Sequence, residues 1–474
     1  MNSLQKTQHI YEVEIGTANY RGQNLLVGIK KHDRFRHVYM IGKTGTGKST
    51  LYENMALQDI AAGRGACFVD PHGEAIERIL GQIPRNRIDD VILFDPSQTE
   101  APFGLNLLEW KDENEKDFLV SEAIQIFYKL FDPNQTGIIG PQFEHWMRSA
   151  ALTVMADPEG GTLLEIPTLF VDQNFLAHKR KFVTDPTVQE FWGKQMAQTA
   201  DFHKSEMLNY FTSKFGRFAS NGVIKNIIGQ KKSSFNMGEI INNEKILLVN
   251  LSKGKIGELN AHMLGLILMT KLQAAVMQRA SLPEQNRLPF YLYVDEFQNL
   301  LTDAFISMLS ESRKYGLAVH LTNQYIAQLP ENMRSAIMGN VGTLLTFQIG
   351  AQDARFLAPE MKPIDQNDLQ NIPVHYFYAR CTIDGTPYDP FLAKGFAPKK
   401  FENEPAADSG AENFELANNS EPVGKISGTA ADITAADTAA SAAANINADT
   451  AANTTANIAE IIKILSELRY GNPV

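Results

Sequence analysis

The chain has 474 residues, with 44 basic and 54 acidic side chains, a formal net charge of −10 and 44% hydrophobic residues; that is room for about two or three domains with substantial cores. Its longest apolar run, around Met263–Met269, falls far short of the roughly 20 residues that span a bilayer, and the opening MNSLQKTQHI has no apolar signal region, which argues against an integral membrane protein and a secreted precursor. Two cysteines, Cys67 and Cys381, exclude a disulfide scaffold or a cysteine-rich zinc site and fit a reducing, intracellular setting.

In chain order, residues 1–35 read as a β segment and 36–111 as the first half of an α/β domain. The apolar run 37–41 predicts a strand buried on both faces. Directly after it comes Gly42-Lys43-Thr44-Gly45-Thr46-Gly47-Lys48-Ser49, followed by a helical pattern through Asn54 and Leu57. This is G-x-x-x-x-G-K-[ST] between a strand and a helix, the setting a phosphate loop requires. Its glycines let successive N–H groups turn toward phosphates, and the helix N-terminus adds partial positive charge. Gly42, Thr44, Gly45, Thr46, Gly47, Lys48, Ser49 and Thr50 are therefore the expected ATP-phosphate site, with Lys48 on the β- and γ-phosphates and Ser49 on Mg²⁺.

Strands are next predicted over 66–70 and 90–94. His72, in Asp70-Pro71-His72-Gly73, follows a strand tip near the expected nucleotide site and reads as a turn residue at a helix start. Residues 112–235 break the strand–helix alternation and predict an inserted, mainly helical domain rich in aromatics such as Phe127, Trp146 and Trp192. The α/β domain resumes over 236–400 with strands at 246–251, 289–294, 317–322 and 343–348, so a mostly parallel sheet is expected. Lys225, Lys231, Lys232, Lys253 and Lys255 flank the first of these, either lining a nucleic-acid path or solvating the surface.

The strand 289–294 ends in Asp295-Glu296. A carboxylate pair at a strand tip beside a phosphate loop suits Asp295 to Mg²⁺ and Glu296 to the attacking water. Arg313, in Glu311-Ser312-Arg313-Lys314-Tyr315, has two readings: a basic residue on a helix C-terminus, or an arginine finger reaching a neighbour's nucleotide. The strand 317–322 runs into Asn323 and Gln324; were it to lie beside the strands bearing Lys48 and Asp295, Gln324 would face the γ-phosphate as a sensor.

Residues 402–474 hold 11 acidic and 3 basic groups, leaving the rest of the chain near neutral, at −2. From Ala430 to Ala459, 14 of 30 residues are alanine, too little apolar bulk to offset ordering, so 401–474 reads as a disordered tail that adds little to the body. It ends in a short amphipathic helix with Ile458, Ile461, Ile462, Leu465 and Leu468 at helical spacing, either docking a partner or without a role.

Seven segments, HVYMIGKTGTGKST, CFVDPHGEAIERIL, GLNLL, VNLSKGKIG, YVDEFQN, SRKYGLAVHLTNQ and GNVGTLLTFQIG, occur in this order over roughly 20–400. Together they resemble the HerA/FtsK superfamily of DNA-pumping P-loop ATPases, nearest to the TraG/TraD-like coupling proteins of conjugation and type IV secretion. The resemblance implies a RecA-like nucleotide-binding domain with an inserted all-α domain, ATP and Mg²⁺ held between subunits of a homo-hexamer, and DNA in a central channel. It implies the roles given above for Lys48, Ser49, Asp295, Glu296 and Gln324, and matches Arg313 to the trans-acting arginine. Relaxase or other secretion-system proteins are the implied partners. Coupling proteins usually carry an N-terminal membrane anchor; none is read here, so either membrane contact passes through a partner, at the inner face of the cell membrane, or the protein acts in the cytoplasm away from a membrane. Two rivals stand beside this reading: a HerA-like motor on double-stranded DNA ends, and a secretion-assembly or substrate-docking module that binds ATP without moving DNA.

Overall fold

A computed structural model describes residues 11–198, 201–399 and 454–472. All seven apolar runs form strands: Val38–Ile41 (β3), Gly65–Asp70 (β4), Val91–Phe94 (β5), Ile246–Asn250 (β6), Phe290–Asp295 (β7), Leu317–Asn323 (β8) and Thr343–Thr346 (β9). They pair in parallel in the order β9-β3-β8-β7-β4-β6-β5. The strands Val13–Tyr20 (β1) and Gln23–Ile29 (β2) extend the sheet beyond β9, joined through Tyr376–Arg380 (β10) and Phe391–Gly395 (β13), all antiparallel. Thr382–Ile383 (β11) and Thr386–Pro387 (β12) make a separate small hairpin.

Successive side chains of the parallel strands enter two cores, as the two-residue strand period dictates. On one face Tyr39, Val69, Val249, Leu292 and Val319 meet the helices that separate β5 from β6, with Leu119, Phe127, Trp146 and Phe211, and the helix Glu258–Gln278. The helix Glu113–Phe131 begins where Asp112 accepts from the N–H groups of Asn114 and Glu115, and buries Leu119, Ala123, Ile126 and Phe127 at helical spacing. The helical block and the sheet thus share one continuous core. Glu258–Ser281 is the one helical stretch among the described residues long and apolar enough to cross a membrane, but 78% of its most apolar window is buried inside the fold.

On the other face Val38, Phe68, Leu248 and Tyr293 meet Leu51, Tyr52 and Met55 of the helix Lys48–Ala61 and Ile76, Ile79 and Leu80 of the helix Glu74–Leu80. Arg34, fully buried, ties this layer together: it donates to both carboxylate oxygens of Asp59 at 2.7 Å and to the Tyr293 hydroxyl at 2.9 Å, and lies 3.1 Å from His320 Nε2. A buried charge is tolerated only when paired in this way. The network links the phosphate-loop helix to β7 and β8.

The terminal helix departs from both expectations set for it. Thr454–Tyr470 packs on the chain's own edge strand β5. Ile458 and Ile462 are buried with Ile76, Leu80 and Leu93, the Leu93 N–H donates to Ser466 Oγ at 3.1 Å, and Arg469 pairs with Asp89 at 2.7 Å. The outer side of an edge strand presents unpaired backbone groups, and this helix covers them. Residues 401–453, where the disordered tail was expected, lie outside the described residues.

Candidate functional site

In a parallel sheet all strands end on the same side, so loops following neighbouring strands converge. Register aligns Ile41 with Asn323, Thr322 with Asp295, and Asp70 with Asn250. The loops after β3, β8, β7, β4 and β6 therefore form one row.

At its head is the loop between Ile41 and Lys48. Gly45 and Gly47 adopt φ of +79° and +103°, which a side chain at either position would strain, and a Cβ on Gly42 would come within 2.5 Å of Phe347 Cβ. Thr46 Oγ1 donates to the Lys43 carbonyl at 2.8 Å, the Lys43 N–H to Gln348 at 2.9 Å, and the His375 N–H to the Thr46 carbonyl at 2.9 Å. Lys48 is buried and donates from Nζ to the Asn323 carbonyl at 2.8 Å; burial lowers its affinity for a proton, while Asp295 and Glu296 oppose that shift. Ser49 is exposed and Thr50 half-buried.

Gly45, Gly47, Lys48, Ser49, Thr50, Asp295, Glu296 and Gln324 line one cavity of about 350 Å³, with Asp70, His72, Arg78 and His375. Thr44 also lines it, and its Oγ1 sits 3.5 Å from Gln324 Oε1. Burial pushes the Asp295 carboxyl up to about 6, with Lys48 counteracting and Asp70 adding to the shift. Glu296 is held down at about 2, first by its hydrogen bond to His72 and then by Lys253, against the opposing effect of burial. Its backbone is left-handed, with φ of +44°, an uncommon conformation for a residue with a side chain. Gln324 Nε2 donates to Glu296 Oε1 at 3.0 Å.

Arg313 is elsewhere. It is exposed on the 3₁₀ turn Ser312–Tyr315, which leads into β8, whereas Gln324 follows that strand. Seven residues of strand separate the two, about 20 Å at roughly 3.3 Å each. The turn is fixed from beneath: Ser312 Oγ lies 3.0 Å from His37 Nε2, and His37 Nδ1 accepts from the Val319 N–H at 3.1 Å.

Three neighbours of the site make contacts that the sequence did not assign. His72 is not merely a turn residue: its Nε2 lies 3.0 Å from Glu296 Oε1, and this contact raises its proton affinity. Lys253 sits 3.1 Å from Glu296 Oε2, which separates it from the surface lysines it was grouped with. Lys231 pairs instead with Glu159 at 3.1 Å, and Lys232 faces Glu109. His375 packs against Gly47, its Nδ1 3.0 Å from where a Cβ there would lie. The signal for His72 and Lys253 was positional: each follows a strand tip in the β7-β4-β6 series.

A family model described as the TraM recognition site of TraD and TraG matches residues 289–358. No curated protein sequence matches the chain. Among solved structures, the plasmid coupling protein TrwB in complex with the ATP analogue ADPNP superposes with a TM-score of 0.56 at 16% identity, covering 82% of this chain and 91% of that one. The trigonal form of TrwBdeltaN70 with sulphate gives 0.57 at 15% identity, over 82% and 91%. VirB4 of Thermoanaerobacter pseudethanolicus gives 0.51 at 16%, over 82% and 97%. The fold is theirs: a RecA-like α/β NTPase fold with a large parallel sheet. The family model and the fold together bear out the resemblance to TraG/TraD-like coupling ATPases of the HerA/FtsK type.

Proposed function

We propose that the chain is an ATPase that moves DNA, the coupling ATPase that feeds DNA to a type IV secretion channel in conjugation. The observation that carries this is the convergence of Lys48, Ser49, Asp295, Glu296 and Gln324 on one cavity at the strand ends. On this reading, 36–111 and 236–400 are halves of one nucleotide-binding domain, 112–235 is its helical insertion and 1–35 its β extension.

Phosphates would rest on the N–H groups between Gly42 and Thr50, with Lys48 neutralising the β- and γ-oxygens. The Ser49 hydroxyl and the Asp295 carboxylate are hard oxygen donors in the same cavity and fit Mg²⁺. When bound, the ion screens charge on the transferring phosphoryl group. Glu296 then orients and deprotonates the attacking water, and Gln324, bonded to Glu296 and next to Thr44, reads the γ-phosphate. Arg313, exposed at the opposite strand end, acts on the nucleotide of the next subunit in a ring of six. The TrwB structures with ADPNP and with ADP and Mg²⁺ support the nucleotide and the ion. The description of the matched family supports a relaxosome or secretion-system partner for 289–358.

The test is ATP turnover by the purified chain alone, with single-stranded DNA and with duplex DNA. Turnover stimulated by DNA and abolished by Glu296→Gln, with ATP binding retained, is the expected result. Turnover indifferent to DNA but raised by a secretion protein would favour the docking module, and strong preference for duplex ends would favour the HerA-like motor.

A further inference from the structure

In the arrangement described above Glu296 is a weakened base. Oε2 faces the Lys253 ammonium at 3.1 Å, and Oε1 is engaged by His72 Nε2 and Gln324 Nε2, each at 3.0 Å. A carboxylate takes a proton from water through an oxygen free to accept that water's hydrogen bond. Oε1 is filled by two donors and Oε2 already accepts from a full positive charge, so only one acceptor site stays open and the carboxylate's basicity is lowered.

The two donors absent from the sequence motifs come from loops that form one unit. The Leu251 N–H donates to the Asp70 carbonyl at 2.9 Å and the Lys253 N–H to the Pro71 carbonyl at 3.1 Å. Gly73 leaves no room beside Asn250, whose Oδ1 would lie 2.4 Å from a Cβ. The loop after β6 ends at Gly257, with φ of +87°, where the long helix Glu258–Gln278 begins. A shift of this paired unit would therefore move His72 and Lys253 away from Glu296 together.

We propose that His72 and Lys253 are positioning residues that hold Glu296 in a resting arrangement, so that the joined loops after β4 and β6 set its access to the attacking water. This rests on the assignment of Glu296 as the base. The ion pair with Lys253 is the drier restraint: its side chain is 19% exposed, against 54% for His72, and a drier charge pair is less screened.

The experiment is steady-state ATP turnover by the full chain, without and with DNA, for Lys253→Met, Lys253→Arg, His72→Asn and Glu296→Gln. Lys253→Met should raise turnover without DNA by roughly five- to tenfold, the population shift that follows loss of one restraint, with KM for ATP within about twofold of the parent. Stimulation by DNA should shrink in proportion, and Lys253→Arg, which restores the charge pair, should bring turnover back toward the parent value. His72→Asn, at a largely exposed side chain, should raise basal turnover by a smaller factor and serves if Lys253→Met folds poorly. Basal turnover unchanged in both Lys253→Met and His72→Asn would overturn the proposal. So would a loss as deep as that of Glu296→Gln, which would put Lys253 in the chemistry itself. If Glu296→Gln keeps its turnover, it is the base assignment that fails; if it is dead while Lys253→Met is flat, only the resting hold is lost.

Discussion

The two ends of strand β8 differ in almost everything but their rigidity. At its C-terminal end, Asn323 receives Lys48 and Gln324 bonds Glu296, within a row of loops whose charged groups are paired with one another. At its N-terminal end Arg313 stands exposed and has no ion-pair partner among the described residues, on a turn that His37 and Ser312 hold in place. An exposed guanidinium on a fixed turn, about 20 Å from the cavity its own chain builds, cannot serve that cavity. On the proposed reading one copy would supply a phosphate loop, a carboxylate pair and a sensor, and the arginine would serve the cavity of another copy, since a forked, permanently charged donor matches the spreading charge of phosphoryl transfer.

The largest effect belongs to the C-terminal end. Glu296→Gln should abolish measurable turnover while nucleotide still binds, read by fluorescent-nucleotide titration; Lys48→Ala should lose binding and turnover together. If the two variants behaved alike, the division of labour along the row would be wrong. Next comes the opposite end. Arg313→Ala should lower turnover by roughly 10³-fold with ATP affinity retained, whereas a residue that only capped its turn would cost a few tenths of a kcal/mol of stability and little activity.

The terminal helix lies at neither end, and so serves as a control. Deleting 454–474 uncovers β5 and removes two buried isoleucines, each contributing about 1.5–3 kcal/mol as an upper bound. Melting should fall by several degrees, at roughly 2–4 °C per kcal/mol for a domain of this size, with turnover per folded molecule preserved. Loss of turnover in the folded fraction would show that the helix acts on the site. The smallest effect is Ser466→Ala, which strands the buried Leu93 N–H and should cost about 1 kcal/mol in denaturant melts.

How far the sequence was legible follows the same division. Strands buried on both faces appear as unbroken apolar runs, so β3 through β9 could be read off directly. Tyr376–Arg380 alternates half-buried and buried positions and Phe391–Gly395 carries exposed Leu392 and Lys394, so neither shows such a run and both escaped. The phosphate loop and Asp295-Glu296 were legible because their chemistry is local: neighbouring residues on one turn. The contacts of His72, Lys253 and His375 were not, because what they touch depends on strand order, and nothing local records that β4 and β6 lie next to β7 or that the chain before β10 returns to Gly47. The terminal helix shows the same limit. Its periodicity announced an apolar face without saying that β5 lay beneath it.

The claim that the site is completed across two copies is tested most directly by mixing two inactive variants. Lys48→Ala copies cannot hydrolyse ATP but keep Arg313; Arg313→Ala copies keep an intact cavity and lack only the arginine. In a mixed assembly, a Lys48→Ala copy can present its Arg313 to the cavity of an Arg313→Ala neighbour. ATP turnover should therefore reappear on mixing and rise with the proportion of such neighbours. A mixture that stays inactive, although pull-down of differently tagged copies proves that mixed assemblies form, would contradict the account and return Arg313 to its own chain.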